Sequence, residues 1–107
     1  MLPRSLLLLG LLSTAAFAEE PAPVEVRIVN HQFVPTDVEI PAGQRIKLVV
    51  INEDDSAEEF EGEDFKAEKI VKGKSQITLM VGPFQPREYR FVGEFHEDTA
   101  KGKLIVK

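Results

Sequence analysis

The sequence contains no cysteine and no tryptophan, and it has fewer basic than acidic residues. The absence of cysteine excludes a disulfide, a Cys-ligated zinc or iron–sulfur cluster, thiol catalysis and a thiolate-bound copper. Lys and Arg number 13 against 18 Asp and Glu, which gives a formal net charge of −5. Nucleic-acid binding requires a basic surface to neutralise phosphates, so we predict that this chain binds no nucleic acid.

Long apolar runs are confined to the N-terminus. Residues 1–18 combine a basic Arg4, an apolar stretch and the small-x-small ending Ala16-Phe17-Ala18, which is typical of a secretory signal peptide. The apolar stretch is shorter than the roughly 20 residues that a spanning helix needs. We therefore predict a cleaved signal peptide, export to a bacterial periplasm, a flexible leader at 19–23 and a domain at 24–107 that does not span a membrane.

The rest of the chain alternates apolar and polar residues with a period of two. The alternation occurs in segments 24–28, 46–50, 77–81, 89–91 and 104–106. Such segments form strands that bury one face, and turn residues such as those at 41–43 and 72–74 separate them. This regular spacing predicts an all-β sandwich or barrel. The pattern at 63–71 leaves a helical turn and an irregular strand both open.

Two polar segments interrupt the alternation. Residues 53–64 are mostly acidic and contain no basic residue, and residues 93–102 bring His96 together with several carboxylates. Two like charges about 4 Å apart repel by roughly 1 kcal/mol even in water, and a bound cation relieves that repulsion. Oxygen and imidazole donors without sulfur suit iron, manganese, zinc or copper(II).

Each of these features also has an explanation without a metal. The acidic run can be a solvated loop, His31 a polar residue beside a turn, and His96 a surface histidine. Met80 lies in a strand pattern and is expected to pack there, with a thioether ligand as the alternative. The phenylalanines expected in the core are Phe33, Phe60, Phe65, Phe91 and Phe95.

Three segments resemble those of cupredoxins. Residues 30–43 resemble the opening hairpin of that family, and residues 49–60 resemble the strand that leads to its first copper histidine. Tyr89 to Gly93, followed by His96, is similar to the ligand loop Tyr-x-Phe-x-Cys-x-x-His. The resemblance covers about residues 24–107, and it implies a cupredoxin-like Greek-key β-sandwich.

The departures from the cupredoxin ligand pattern bear on function. Glu58 stands where the first copper histidine would be, Gly93 replaces the thiolate, and Lys101 falls near the axial methionine position. Of the usual ligands only His96 remains. A blue-copper site is therefore excluded, because its copper–sulfur bond needs the missing cysteine.

Two strings resemble a narrower group. Residues 58–61 (EEFE) and 93–102 (GEFHEDTAKG) are similar to those of cupredoxin-like periplasmic proteins of bacterial ferrous-iron uptake systems, related to the cupredoxin-like domain of EfeO-type proteins. This resemblance implies that the chain binds iron and helps to oxidise it or deliver it to an iron permease and other periplasmic components. The sequence shows no group that would accept an electron, so we expect a binding protein rather than an enzyme, with a role in ferrous-iron oxidation as the alternative.

In cupredoxins the ligand loops meet at one end of the sandwich. The resemblance therefore implies a metal site built from His31, Glu58, Glu61, Glu94, His96 and Glu97, with Glu59 and Glu68 behind them. Strand parity places Glu58 and Phe60 on one face and Glu59 and Glu61 on the other, so not all of them can point inward. Two alternatives remain, a copper carrier that uses His31, His96 and Met80, and a metal-free acidic domain that docks on a basic partner.

Overall fold

The computed structural model describes residues 22–107, which form nine strands and one short 3₁₀ helix. The strands are β1 (Pro23–Val29), β2 (Gln32–Val34), β3 (Asp37–Ile40), β4 (Ile46–Asn52), β5 (Glu58–Gly62), β6 (Glu68–Val71), β7 (Ser75–Val81), β8 (Arg87–Gly93) and β9 (Lys101–Val106). The 3₁₀ helix, Glu94–His96, follows β8 directly. The predicted signal peptide lies outside the described residues, as does most of the predicted leader. Strand β1 begins one residue before the predicted boundary at residue 24.

Two sheets pack face to face. The first has the strand order β2-β1-β4-β7, and the second has the order β3-β9-β8-β5-β6. Strand β1 runs parallel to β4 and β3 runs parallel to β9, whereas the other neighbouring strands are antiparallel. The predicted all-β sandwich is confirmed. The segment 63–71, for which the sequence left a helical turn and a strand both open, ends in strand β6. No helix within residues 22–107 is long and apolar enough to cross a membrane.

Aromatic side chains from both sheets meet in the core. Phe33 on β2 lies edge-on to Phe91 on β8 with ring centroids 4.9 Å apart, and Phe60 on β5 lies 5.1 Å from Phe91. All three rings are buried, and each contributes roughly 1.5–3 kcal/mol by leaving water. The prediction that Phe95 belongs to the core is wrong. Its side chain is 50% exposed because it lies in the 3₁₀ helix, which has no buried residue.

An ion pair fastens the connection between β5 and β6 to β8. The Asp64 carboxylate accepts hydrogen bonds from the backbone N–H of Arg90 (2.9 Å) and from its guanidinium Nε (2.8 Å). The guanidinium of Arg90, followed by its backbone N–H, holds the pKa of Asp64 well below its ordinary value. A lowered carboxyl pKa stabilises the folded state above the unfolded-state pKa of about 3.9, and this contribution disappears as the pH falls further.

We expect Asp64→Asn to lower the melting temperature at neutral pH, because the charged partner of Arg90 is removed. The difference from the unaltered protein should shrink as the pH falls below about 4. Thermal unfolding followed by circular dichroism across this range measures both effects. Asp55→Asn is the matched control. The Asp55 side chain is 95% exposed, and its 3.8 Å contact with Lys74 is longer than the 2.8 Å contact of Asp64 with Arg90. Equal effects of the two variants, or a difference that grows in acid, would contradict this role for Asp64.

Candidate functional site

Three connections meet at one end of the sandwich, which we call the loop end: residues 30–31, 53–57 and 94–100. Asp54 accepts hydrogen bonds from the backbone N–H groups of Asn30 (2.7 Å) and His31 (2.9 Å). The Thr99 hydroxyl donates to the carbonyl of His31 at 2.6 Å. The loop end is therefore held together by contacts between residues that are distant in sequence.

Asn52 and Asp54 fix the shape of the loop after β4. The buried amide of Asn52 donates to the carbonyls of Ser56 (2.9 Å) and Val71 (3.1 Å), and its oxygen accepts from the N–H of Asp54. Burial alone would raise the pKa of Asp54, but the N–H groups of His31 and Asn30 outweigh it and lower that pKa. Asp54 therefore carries its charge directly beneath the turn that presents His31.

His31 is held over His96 by the turn between β1 and β2. Asn30 and His31 are both left-handed, with φ of 52° and 58°, as in the two-residue turns that suit the twist of a hairpin. The rings of His31 and His96 stack with centroids 3.5 Å apart and an interplanar angle of 12°. The Nε2 of His31 lies 3.4 Å from the Ser56 hydroxyl. The two histidines predicted from the sequence therefore do meet.

Glu58 lies at the Nδ1 edge of the His96 ring, with a side chain that is 1% exposed. Its Oε1 accepts hydrogen bonds from the N–H groups of Phe95 (2.8 Å) and Glu59 (3.0 Å), and its Oε2 lies 2.6 Å from Nδ1 of His96. A carboxylate oxygen can only accept, so we assign the proton of this contact to Nδ1. In the neutral ring, Nε2 then holds the free lone pair.

Gly93 makes room for the Glu58 carboxylate. A Cβ atom at position 93 would lie 2.7 Å from the Glu58 Cδ and 2.7 Å from the Ala100 Cβ, which is closer than real Cβ atoms approach. The two departures from the cupredoxin pattern, at positions 58 and 93, are therefore linked by packing. The sequence shows each departure separately but not the contact between the two positions.

Carboxylates crowd the surface beside His96. We call this group the acidic surface; it consists of Glu59, Glu61, Glu68, Glu94 and Glu97. Partial burial, followed by the neighbouring Glu68, raises the pKa of Glu59. The neighbouring Glu61, followed by burial, raises the pKa of Glu94. These shifts indicate mutual repulsion among the carboxylates at neutral pH.

The six predicted site residues fall into two adjoining groups. His31, Glu58 and His96 are in contact at the loop end, whereas Glu61, Glu94 and Glu97 belong to the acidic surface. Within residues 22–107, no three His, Asp or Glu side chains form an arrangement ready to hold a metal ion.

The burial of β5 follows the predicted strand parity, since Glu58 and Phe60 are buried and Glu59 and Glu61 are partly exposed. The contribution of Asp54 to the loop end was missed. The sequence does carry a signal for the turn that Asp54 holds. Asn30 begins a two-residue connection between two segments of alternating residues.

We expect Glu59→Gln to raise the melting temperature at neutral pH, because the variant lacks one of the mutually repelling charges. A raised carboxyl pKa means that the folded state gains stability as the pH falls through that pKa, so the advantage of the variant should fade in mild acid. Thermal unfolding at several pH values measures this. Glu88→Gln is the control, since Glu88 lies 3.0 Å from Lys103 and its neutralisation should not stabilise the protein. Stabilisation by Glu88→Gln alone would contradict the account of the acidic surface.

Comparison with known proteins supports the resemblance to cupredoxins. A sequence model of the family described as "Cupredoxin-like domain" matches residues 4–106. An uncharacterized protein of Rickettsia prowazekii (strain Madrid E) is 43% identical over 83 residues, which are 78% of this chain and 66% of that protein. The chain thus spans slightly less than two thirds of this relative.

Solved structures of copper proteins have the same fold. Auracyanin A, a "blue" copper protein from Chloroflexus aurantiacus, matches with a TM-score of 0.70 and 13% identity, covering 82% of this chain and 100% of its own. A purple cupredoxin from Nitrosopumilus maritimus matches with a TM-score of 0.62 and 16% identity, covering 78% of this chain and 99% of its own. At these identities the likeness shows the fold alone.

The fold and the sequence match lead to the same assignment. The two mixed sheets are those of a cupredoxin β-sandwich, and the family match extends over nearly the whole chain. Such a domain is consistent with a metal-binding or electron-transfer role. The chain belongs to the cupredoxin-like domain family.

Proposed function

We infer that this protein is a periplasmic metal-binding protein whose cargo is iron, and that it serves ferrous-iron uptake by delivering the ion to a membrane permease. The observation that carries this inference is the position of His96. Its Nδ1 is engaged by buried Glu58, while its ring borders the acidic surface. The resemblance of residues 58–61 and 93–102 to proteins of iron uptake systems supports the choice of cargo.

The residues present do not fit the sulfur-bound copper of a blue-copper site. Position 93 has no side chain, and the space beside it is filled by the carboxylate of Glu58. The remaining donors are imidazole nitrogens and carboxylate oxygens. Hard oxygen donors suit iron better than they suit copper(I), which prefers sulfur ligands.

The stacked histidines limit how an ion can bind. The nitrogen lone pairs of an imidazole lie in the ring plane, and the planes of His31 and His96 are nearly parallel. One ion bound by both rings therefore requires His31 to turn away from the stack. We propose that His96 and carboxylates of the acidic surface, such as Glu61, Glu94 and Glu97, capture the ion and that His31 then joins them.

Anaerobic titration of the protein with ferrous ion, followed by calorimetry, tests this function. We expect binding that is strongly weakened by His96→Asn. The asparagine amide still donates a hydrogen bond to Glu58, but it has no nitrogen ligand at the position of Nε2. Glu39→Gln is the control variant, since Glu39 pairs with Lys107 and lies outside the proposed site. Unchanged affinity in His96→Asn, or no binding of ferrous ion at all, would contradict the proposal.

Copper is the second candidate cargo, and the adjacent imidazoles of His31 and His96 favour it. Copper(II) binds most nitrogen and oxygen sites more tightly than ferrous ion does, so affinity alone does not decide between them. Deletion of the gene should impair growth under iron limitation if iron is the cargo and under copper limitation if copper is. An unimpaired deletion strain under both conditions would favour a metal-free acidic domain that docks on a basic partner.

A further inference from the structure

We propose that Glu58 is a positioning residue that fixes the orientation and tautomer of His96, and that it is not itself a ligand of the metal ion. In this arrangement the proton of the His96 ring stays on Nδ1, and the lone pair of Nε2 is presented to the ion. The inference rests on the proposed function and specifies how its site works.

The hydrogen bonds of Glu58 leave it little capacity for a metal. Oε1 accepts two backbone N–H groups, and Oε2 accepts the ring N–H of His96. The side chain is 1% exposed, whereas that of His96 is 27% exposed. An ion arriving from solvent therefore meets the histidine ring before it could reach the carboxylate.

The backbone supports the same orientation. The N–H of Phe95, the residue before His96, is one of the two donors to Oε1, so Glu58 holds both the ring and the chain that carries it. The carbonyl of His96 accepts from the N–H of Ala100 at 2.8 Å, which closes the turn that follows. The ring is thus restrained at Nδ1 and on both sides along the chain.

Gly93 allows this arrangement of Glu58 and His96. The missing Cβ at position 93 leaves the space in which the Glu58 carboxyl group lies, between β8 and Ala100. A carboxylate that hydrogen-bonds the second nitrogen of a ligating histidine orients the ring and strengthens it as a ligand. The loss of such a partner typically weakens metal binding by about 10- to 100-fold.

Glu58→Gln separates orientation from packing, because glutamine has almost the same shape. The two backbone N–H donors require an oxygen at the position of Oε1, so the amide nitrogen of the glutamine must face His96. An amide nitrogen can only donate, and Nδ1 of His96 must then accept. We therefore expect the ring proton to move from Nδ1 to Nε2, which blocks the nitrogen proposed to bind the ion.

The experiment combines three measurements on the unaltered protein, Glu58→Gln and the control Glu39→Gln, whose carboxylate pairs with Lys107 outside the proposed site. Long-range ¹H–¹⁵N NMR of the neutral rings, recorded at alkaline pH, reports the tautomer without any metal. Calorimetry with ferrous ion under anaerobic conditions reports affinity, and thermal unfolding checks that each variant is folded. We expect the proton on Nδ1 in the unaltered protein and in Glu39→Gln, and on Nε2 in Glu58→Gln, with an affinity about 10- to 100-fold weaker in the Glu58→Gln variant.

The outcomes distinguish this inference from the proposed function. A proton on Nε2 in the unaltered protein, or full affinity in Glu58→Gln despite a changed tautomer, would overturn the positioning role while iron binding stands. No binding of ferrous ion by the unaltered protein, with the tautomers as expected, would overturn the proposed function and with it any action of Glu58 on a metal.

Discussion

Replacing Glu58 with alanine is expected to lower the free energy of unfolding by about 2–5 kcal/mol, because each buried donor left without an acceptor costs about 1–3 kcal/mol. Three donors lose their acceptor in this variant: the N–H groups of Phe95 and Glu59 and the ring N–H of His96. The vacated space beside Gly93 adds a cavity. Urea unfolding followed by fluorescence of Tyr89 or by circular dichroism measures the change.

Glu59→Ala is the matched control, because Glu59 is the next residue on β5 and points to the opposite, partly exposed face. Surface substitutions of this kind usually change stability by no more than about 0.5 kcal/mol. If the two alanine variants were equally stable, the buried carboxylate would not be a structural part of the loop end.

Replacing Gly93 with alanine is expected to destabilise the protein by about 1–3 kcal/mol, the usual result of adding a methyl group to a filled interior. The new Cβ would be 2.7 Å from the Ala100 Cβ, 2.7 Å from the Glu58 Cδ and 2.8 Å from its Oε2. Either the carboxyl group or β8 must shift to accommodate it. A shift of the carboxyl group would also lengthen its hydrogen bond to His96, so ferrous-ion binding should weaken together with stability.

A double-mutant cycle tests the contact directly. The cost of Gly93→Ala should fall when Glu58 is already alanine, with a coupling free energy of about 0.5–3 kcal/mol. Gly93→Ala combined with Ala100→Gly removes the other close contact and serves as the comparison. Strict additivity in the cycle with Glu58 would contradict the packing link between positions 58 and 93.

The fold followed from the sequence to a large extent because its strands bury one face. The alternation of Ile46, Leu48 and Val50 gives the inner face of β4 directly. The same alternation gives the buried and the partly exposed residues of β5. Phe95 was misassigned because composition alone cannot tell an aromatic residue in a strand from one in an exposed 3₁₀ helix.

The candidate site was predicted in its residues but not in its arrangement. The resemblance to cupredoxins brought His31, Glu58 and His96 to one end of the sandwich, where they do meet. Glu58 was predicted as a metal ligand from the resemblance alone, and its side chain is buried, which is rare for a carboxylate. That burial depends on the absence of a Cβ atom at Gly93. The two residues lie on different strands, so no local sequence pattern reveals their contact.

The stacking of the two histidines depends on three separate connections, residues 30–31, 53–57 and 94–100. The turn at Asn30 sets the backbone of His31, and the carboxylate of Asp54 holds that turn from the loop after β4. Each contact joins segments more than 20 residues apart. Sequence periodicity is local, so it cannot give the relative positions of side chains on three loops.

The most direct test of the central claim is to titrate ferrous ion into protein labelled with ¹⁵N at histidine and to follow both rings by NMR. The chain has two histidines, so the signals are readily assigned. We predict that stoichiometric ferrous ion strongly shifts or broadens the Nε2 signal of His96 while that of His31 reports the opening of the stack. Binding of the ion with both rings unaffected would contradict the claim that His96 presents a ligand at the loop end.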